Sequence, residues 1–222
     1  WSSDVCSSDL NALTDLAPIT QTVAAPNILV VHPSLPVTTV KQLIAFAKKH
    51  PNQLDYASAG PGTNPHLVMA LFLNMTHTQM VHIPYKGLGP ALVDLMTGRV
   101  VVASGTMLSS LRHVTSGRLR GLATTGLKRS SALPDLPTVD EAGVKGFDAT
   151  QWYGLYAPGG TPKAIVDKIN RAMVGALRAE SAKFAKDGAD AVGNSPEEFA
   201  RIMQSETVKW GKIVKMAGLK PR

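Results

Sequence analysis

Short apolar runs alternate with amphipathic stretches along most of this chain. Strands are predicted at residues 27–31, 54–57, 80–83, 100–103 and 119–124. Each of the first four is followed by a helical pattern, in which apolar positions recur three and four residues apart. Strands that alternate with helices at this spacing predict an α/β layer with a mainly parallel sheet.

Capping signals indicate where two of these helices begin. Thr39 and Gln42 have the spacing of a capping box. Asn64 followed by Pro65 predicts an N-cap and the first position of a helix that runs to about Met75.

Beyond residue 150 the alternation ends. Residues 151–157 predict one more extended segment, in which Trp152 and Tyr153 are interpreted as hinge or core packing, with contact to a ligand as the alternative. Thr161 is the predicted N-cap of the next helix, and Ser195 that of the last helix. The buried stripe of the first of these helices is predicted to comprise Ile165, Ile169 and Met173.

Composition narrows the class of protein. The 222 residues are 44% hydrophobic and 18% charged, which is typical of a globular protein with one large or two small domains. The net charge is +7, but the basic residues are scattered, so no nucleic-acid partner is predicted. Cys6 is the single cysteine, which excludes a disulfide within the chain, and no apolar run is long enough to span a bilayer.

The first ten residues do not follow the pattern of the rest. Residues 1–10 repeat Ser-Ser-Asp, show no helical or strand periodicity and resemble a non-native tag. We expect the native N-terminus to be incomplete in this sequence.

The segment 54–67 carries the clearest chemical signal. A strand leads into Gly60-Pro61-Gly62 and then into a helix start, which points free backbone N–H groups and a helix dipole at one place. Such a junction binds small anions, carboxylates above all, without a charged side chain. A glycine loop that serves only steric needs is the alternative, and His66 is either a donor to the anion or a polar residue at a helix start.

Two further loops should open on the same edge of a parallel sheet. Lys86 follows one predicted strand and offers a positive charge, unless it is simply a solvated lysine; Thr106 follows another. The complete set of predicted ligand-binding residues is Ser58, Ala59, Gly60, Gly62, Thr63, His66, Lys86 and Thr106.

Catalytic signatures are missing from the sequence. There is no Gly-x-Ser-x-Gly elbow, no His-Glu-x-x-His pair and no Walker A motif. We therefore predict a binding protein and not an enzyme, with no cofactor and no metal.

Six motifs together resemble one family, in order and across residues 11–222. They are Asp15-Leu-Ala-Pro-Ile-Thr20, Tyr56-Ala-Ser-Ala-Gly-Pro-Gly62 with His66-Leu67, His82-Ile-Pro-Tyr-Lys-Gly87, Arg129-Ser-Ser-Ala-Leu-Pro-Asp-Leu-Pro-Thr-Val139, Trp152-Tyr-Gly-Leu-Tyr-Ala-Pro158 and Gly160-Thr-Pro162. The family is that of the substrate-binding receptors of tripartite tricarboxylate transporters, also called Bug-type binding proteins.

The resemblance implies a periplasmic receptor that holds a small carboxylate between two α/β lobes of the class II periplasmic-binding-protein fold. It implies permease subunits as partners, and a receptor that is not itself embedded in the membrane. Residues 58–63 match the family's carboxylate-gripping loop, and the loop at Thr106 faces the cleft in such proteins.

The resemblance also divides the chain. Residues 27–155 correspond to a complete second lobe, residues 11–26 to a remnant of the first lobe, and residues 156–222 to C-terminal helices of that first lobe. The family's Pro-x-Gly-Gly-x-x-Asp loop has no match, so we expect one lobe to be partial and carboxylate binding to be impaired.

Two other functions stay open at this point. The same fold serves as a sensory module that passes a carboxylate signal to a protein partner such as a sensor kinase, and neighbouring genes would separate that role from transport. An acyl- or phosphoryl-transfer enzyme would need a reactive residue that the sequence does not show.

Overall fold

Two sheets organise the chain in the computed structural model, which describes residues 11–219. The predicted tag at residues 1–10 lies outside this range. The five-stranded sheet has the spatial order β4 (Val81–Pro84), β3 (Asp55–Ser58), β5 (Val102–Thr106), β2 (Asn27–Val31) and β6 (Arg120–Thr124). The three-stranded sheet has the order β7 (Gln151–Pro158), β1 (Leu16–Ala25) and β8 (Asp190–Ala191).

Strand β2 runs against its neighbours in the five-stranded sheet. Strands β3, β4 and β5 pair in parallel, as predicted, whereas β2 pairs antiparallel with both β5 and β6. Asn27, the first residue of β2, therefore lies opposite Thr106, the last residue of β5. The start of β2 thus falls among the carboxyl ends of the parallel strands.

Helices cover both faces of the five-stranded sheet. They are α1 (Val40–Lys49), α2 (Asn64–Thr76), α3 (Leu88–Met96) and α4 (Met107–Thr115). Because side chains alternate along a strand, β2 sends Leu29 and Val31 into one apolar cluster and Ile28 and Val30 into the other. All five residues of β2 are buried, as its apolar run predicts.

The three-stranded sheet carries the remaining helices. These are α5 (Lys163–Ala179), α6 (Ser181–Lys186) and α7 (Pro196–Met216). Strand β1, which the sequence pattern did not predict, pairs with β7 from Leu16↔Pro158 to Ala25↔Gln151. Phe199 of α7 is fully buried against this pair, where it packs edge-on against Trp152. Within residues 11–219, no helix is both long and apolar enough to cross a membrane.

The helix starts differ in detail from the predicted ones. Thr39 does cap α1, but Gln42 accepts from the N–H of Thr38 instead of completing a capping box with Thr39. The N-cap of α2 is Thr63 and not Asn64, which is the first helical residue and whose side chain accepts from Asn27.

The two C-terminal helices show the same contrast. Pro162, and not Thr161, occupies the N-cap position of α5, and the Thr161 hydroxyl donates to the Pro158 carbonyl. At α7 the predicted capping box of Ser195 and Glu198 is complete, because both reciprocal hydrogen bonds form.

The predicted buried stripe of α5 is wrong at Ile165 and Ile169, whereas Met173 is partly buried. Ile165 and Ile169 are 48% and 36% exposed, whereas Val166 and Leu177 are buried. The Asn170 amide donates to the carbonyls of Ile19 and Asn194, both at 2.9 Å. These hydrogen bonds fix the rotation of α5, so the face that contains Val166 and Asn170 lies against β1.

We predict that Phe199→Ala destabilises the chain by about 3–5 kcal/mol, because it leaves a cavity beside Trp152 and Tyr156. Urea unfolding at neutral pH measures this change. The matched control is Val208→Ala on the same helix, where the side chain is 61% exposed and the expected change is within about 0.5 kcal/mol. Equal losses in the two variants would contradict the assigned core position.

Candidate carboxylate-binding site

The carboxyl edge of the five-stranded sheet brings the predicted loops together. The N–H of Tyr85 donates to the Ser58 carbonyl at 3.0 Å, and that of Gly87 donates to the Ala59 carbonyl at 3.2 Å. The loop that contains Lys86 is thereby tied to the glycine loop. Thr106 ends β5, which pairs with β3 on the side opposite β4.

The glycine loop, residues 58–63, needs its glycines. Gly60 and Gly62 have φ angles of 124° and 77°, in the left-handed region that other residues rarely adopt. A Cβ atom on Gly60 would also lie 3.3 Å from the Tyr85 carbonyl oxygen. The loop therefore keeps this shape only with glycine at these positions.

The hydroxyls of Ser58 and Thr63 stabilise the loop from within. Ser58 is fully buried; its Oγ accepts from the Gly60 N–H at 3.1 Å and lies 2.6 Å from His82 Nε2. The Thr63 hydroxyl donates to the Gly60 carbonyl at 2.7 Å. The sequence predicted direct ligand contacts for both; in this structure Thr63 bonds within the loop, and Ser58 bonds within the loop and to His82.

Backbone N–H groups are the unsatisfied donors of this site. Within residues 11–219, the N–H groups of Ala59, Asn64 and His66 have no hydrogen-bond acceptor. Asn64 and His66 belong to the first turn of the 13-residue helix α2, where the helix dipole adds positive potential. This is the donor arrangement that small anions bind at helix starts.

A stack of three rings lies under the loop. The rings of His66 and His82 are stacked, with centroids 4.0 Å apart and nearly parallel planes, and Tyr56 stacks on His82 at 4.9 Å. The Gly62 N–H donates to His66 Nδ1 at 3.1 Å, so this nitrogen is an acceptor without a proton. The His66 ring thus holds the loop, although the sequence offered it as a donor to the anion.

Burial keeps this stack neutral. Desolvation lowers the pKa of His66, and desolvation together with the neighbouring His66 lowers the pKa of His82 to about 4. Burial also raises the pKa of Tyr56 to about 12. At neutral pH the rings therefore bring no charge to the site.

Asn27 is a residue of the site that the sequence did not indicate. Its side-chain amide donates to Asn64 Oδ1 at 2.7 Å and to Ser104 Oγ at 3.1 Å, while its backbone N–H donates to Thr125 Oγ1 at 2.8 Å. This fully buried side chain links the start of α2 to β5. Local sequence gives no hint of it, because the contacts span 37 to 98 positions.

Lys86 and Thr106 lie at the carboxyl ends of the two strands that flank β3, Lys86 after β4 and Thr106 at the end of β5. Lys86 is exposed, and Thr106 is the N-cap of α4, where its hydroxyl accepts from the Ser109 N–H. Thr106 also lines a cavity of about 320 Å³, here called the hinge cavity. The other residues that line it are Val23, Ala25, Pro26, Asn27, Met107, Leu108, Gln151, Tyr153, Phe184, Asp187 and Ala189. Of the predicted ligand residues, Thr106 alone lines it.

Among residues 11–219, no cluster of three histidine, cysteine, aspartate or glutamate side chains suits a metal ion.

Comparison with known proteins now identifies the class. The model of the tripartite tricarboxylate transporter family receptor matches residues 8–219, and the chain belongs to this family. Protein BugT of Bordetella pertussis is 35% identical over 210 residues, which are 94% of this chain and 64% of BugT. The chain spans 60–66% of the length of the first curated relatives that it matches.

Solved structures agree with the family. R. palustris Rpa4515 with adipate gives a TM-score of 0.86 at 36% identity, with 96% of this chain and 72% of that chain covered. MatC from Rhodopseudomonas palustris with bound malate gives 0.79 at 26% identity, with 93% and 72% covered. The predicted family and the predicted fold, an α/β periplasmic-binding-protein fold present in part, are confirmed.

We predict that Asn27→Asp destabilises the chain by about 3 kcal/mol, because a buried carboxylate would replace the donor that faces Asn64 and Ser104. Thermal or urea unfolding at pH 7 measures the loss. Asn52→Asp is the control, since Asn52 is exposed and aspartate tolerates its positive φ. Equal stability of both variants would show that the Asn27 amide does not stabilise this junction.

We predict that acid weakens the fold through the two histidines. A pKa that is lower in the folded state than in the unfolded state means that the unfolded chain binds more protons. Stability is then fully present above pH 6.5 and falls as the pH drops toward about 4, the folded-state pKa of His82. Urea midpoints between pH 7.5 and pH 4.5 measure the fall.

The double variant His66→Asn with His82→Gln tests whether the two histidines cause this pH dependence. Its side-chain amides can keep the hydrogen bonds to Gly62 and Ser58, but they do not titrate. We expect it to lose less stability on acidification than the wild type. His77→Asn, at an exposed helix C-cap, should leave the wild-type profile unchanged. Identical profiles for the double variant and the wild type would rule out the stacked histidines as the source.

Proposed function

We propose that this chain is a solute receptor that captures a small carboxylate at the glycine loop. The observation that carries the proposal is the group of free N–H donors of Ala59, Asn64 and His66 at the start of α2. A carboxylate oxygen placed there gains charge-assisted hydrogen bonds from donors that are already oriented. The side chains of Lys86 and Thr106 add contacts from the adjoining loops.

Relatives support the chemical class of the ligand. The two solved structures described above are those of proteins with adipate and with malate, and both molecules are dicarboxylates. The two matches cover 96% and 93% of this chain. A small carboxylate is therefore the ligand that we propose for this chain.

The proposed site lies between two lobes. Because β7 pairs with β1, we assign residues 27–150 to the lobe that carries the glycine loop, and residues 11–26 and 151–219 to the other. The chain crosses between them at Pro26 and again just before Gln151, where β1 and β7 pair side by side. Two adjacent crossings are the geometry of a hinge, and closure about it would cover a bound ligand.

We expect binding by this chain to be weak. The donors at the loop are backbone N–H groups, and Lys86 on the adjoining loop is exposed. We propose that the other lobe of a full-length receptor supplies further contacts. A Kd of roughly 1 mM or weaker, about −4 kcal/mol, is the expected range.

The proposal extends to location and partners. We propose a periplasmic receptor, not an enzyme, that presents its ligand to the permease subunits of a tripartite transporter. Genes for a large and a small permease beside this gene would support transport. A sensor-kinase gene in their place would favour the signalling role.

We predict that adipate shifts the amide resonances of Ala59, Asn64 and His66 in a ¹⁵N-resolved NMR titration. Gly60→Ala should weaken this binding by about tenfold or more, ~1.4 kcal/mol, because a Cβ at this φ deforms the loop. Gly89→Ala is the matched control, since Gly89 has open space around it and no positive φ. A titration in which the resonances of these three amides do not shift would refute the site. A micromolar Kd measured by calorimetry would refute the expected weak affinity.

A further inference from the structure

The end of α6 reaches from one lobe to the other. Residues 184–189, here called the clasp, comprise the end of α6 and the turn that follows it. The N–H groups of Gly188 and Ala189 close this turn by donating to the carbonyls of Ala185 and Phe184, both at 3.0 Å. Strand β8 follows directly and pairs with β1, so the clasp belongs to the lobe of the three-stranded sheet.

Gly188 is the clasp residue that lies against the lobe of the five-stranded sheet. It is buried, and a Cβ atom at this position would lie 2.9 Å from Met107 Sδ and 3.2 Å from Ala132 Cβ. Met107 begins α4 and is itself only 1% exposed. Side-chain atoms normally pack about 3.5–4.0 Å apart. The two lobes can therefore approach this closely only because residue 188 has no side chain.

The contact between Gly188 and Met107 is separate from the strands that cross between the lobes. Met107 and Asp187 line the same hinge cavity as Pro26 and Gln151, where the chain crosses. Neither side of the contact belongs to a crossing strand. Rotation of the lobes about the crossing strands would therefore change the distance across this contact.

Another contact between the lobes lies beside the crossing strands. Lys209 Nζ of α7 is 3.6 Å from Asp148 Oδ2, and Asp148 lies just before β7. The Glu206 carboxylate, also on α7, accepts from the indole N–H of Trp152 near the start of β7 at 3.4 Å. Because these groups lie next to the crossing strands, rotation about those strands moves them less than it moves the clasp.

We propose that the clasp is a closure contact, and that glycine at position 188 sets the balance between closed and open arrangements of the lobes. In the closed arrangement Gly188 lies against Met107 and Ala132, and in the open arrangement this contact is broken. A side chain at position 188 acts as a wedge and favours the open arrangement. This inference goes beyond the proposed function, because it concerns how the lobes close and not what they bind.

Distances between two nitroxide labels, measured on the full chain by double electron–electron resonance, test the inference. Val93→Cys on α3 and Arg171→Cys on α5 place one label on each lobe at exposed positions, and Cys6→Ser removes the native cysteine. We expect Gly188→Asn to raise the ratio of open to closed molecules about tenfold, because overpacking favours the arrangement that relieves it. Asparagine tolerates the φ of 72° at this position.

Gly193→Asn is the matched control. Gly193 has a φ of 68°, but a Cβ atom there would lie 3.5 Å from Val174 of its own lobe, which is an ordinary contact. We expect this control to keep the wild-type distances. The double variant Gly188→Asn with Met107→Ala removes the opposing side chain and should return the distances to those of the wild type.

Wild-type distances in the Gly188→Asn variant would overturn the inference, as would an equal change in Gly193→Asn or a double variant that stays open. If Gly188→Asn does not fold, Ala132→Leu decides, since it adds bulk from the opposite lobe and alters no glycine. It should also favour the open arrangement, and wild-type distances would overturn the inference. Because the test contains no ligand, its failure leaves the proposed carboxylate binding to the adipate titration.

Discussion

The amide of Asn27 is the interaction on which the geometry of the site depends. Strand β2 runs antiparallel to its neighbours, so its first residue lies where the parallel strands end. There the buried side chain donates to Asn64 at the start of α2 and to Ser104 in β5. One polar group thereby ties the first turn of α2 to β5, next to the place where the chain passes from one sheet to the other.

Around this junction the protein uses neutral groups. The glycine loop is held by the hydroxyls of Ser58 and Thr63 and by the neutral ring of His66. Because these hydrogen bonds already exist, the loop does not have to become ordered when a ligand arrives, and its free N–H groups keep their direction. Attraction for an anion then comes from oriented backbone dipoles more than from the charge of a single side chain.

Local signals in the sequence predicted much of this arrangement. The capping box of Ser195 and Glu198, the buried run of β2 and the glycine loop before α2 depend on neighbouring residues, and the structure has each of them. Long-range contacts decided the rest.

Three examples show why those contacts could not be predicted from the sequence. The direction of β2 is set by pairing with β5 and β6, which an apolar run cannot specify. The rotation of α5 follows from hydrogen bonds of Asn170 to distant carbonyls, so the apparent apolar stripe of Ile165 and Ile169 is exposed. The part that His82 plays beneath the loop depends on a contact with Ser58 across 24 positions.

A crystal structure of this chain soaked with adipate tests the central claim most directly. The account predicts a carboxylate group at the start of α2, with its oxygens about 2.7–3.2 Å from the N–H nitrogens of Ala59 and Asn64. A carboxylate bound elsewhere, with these two N–H groups left without it, would contradict the account.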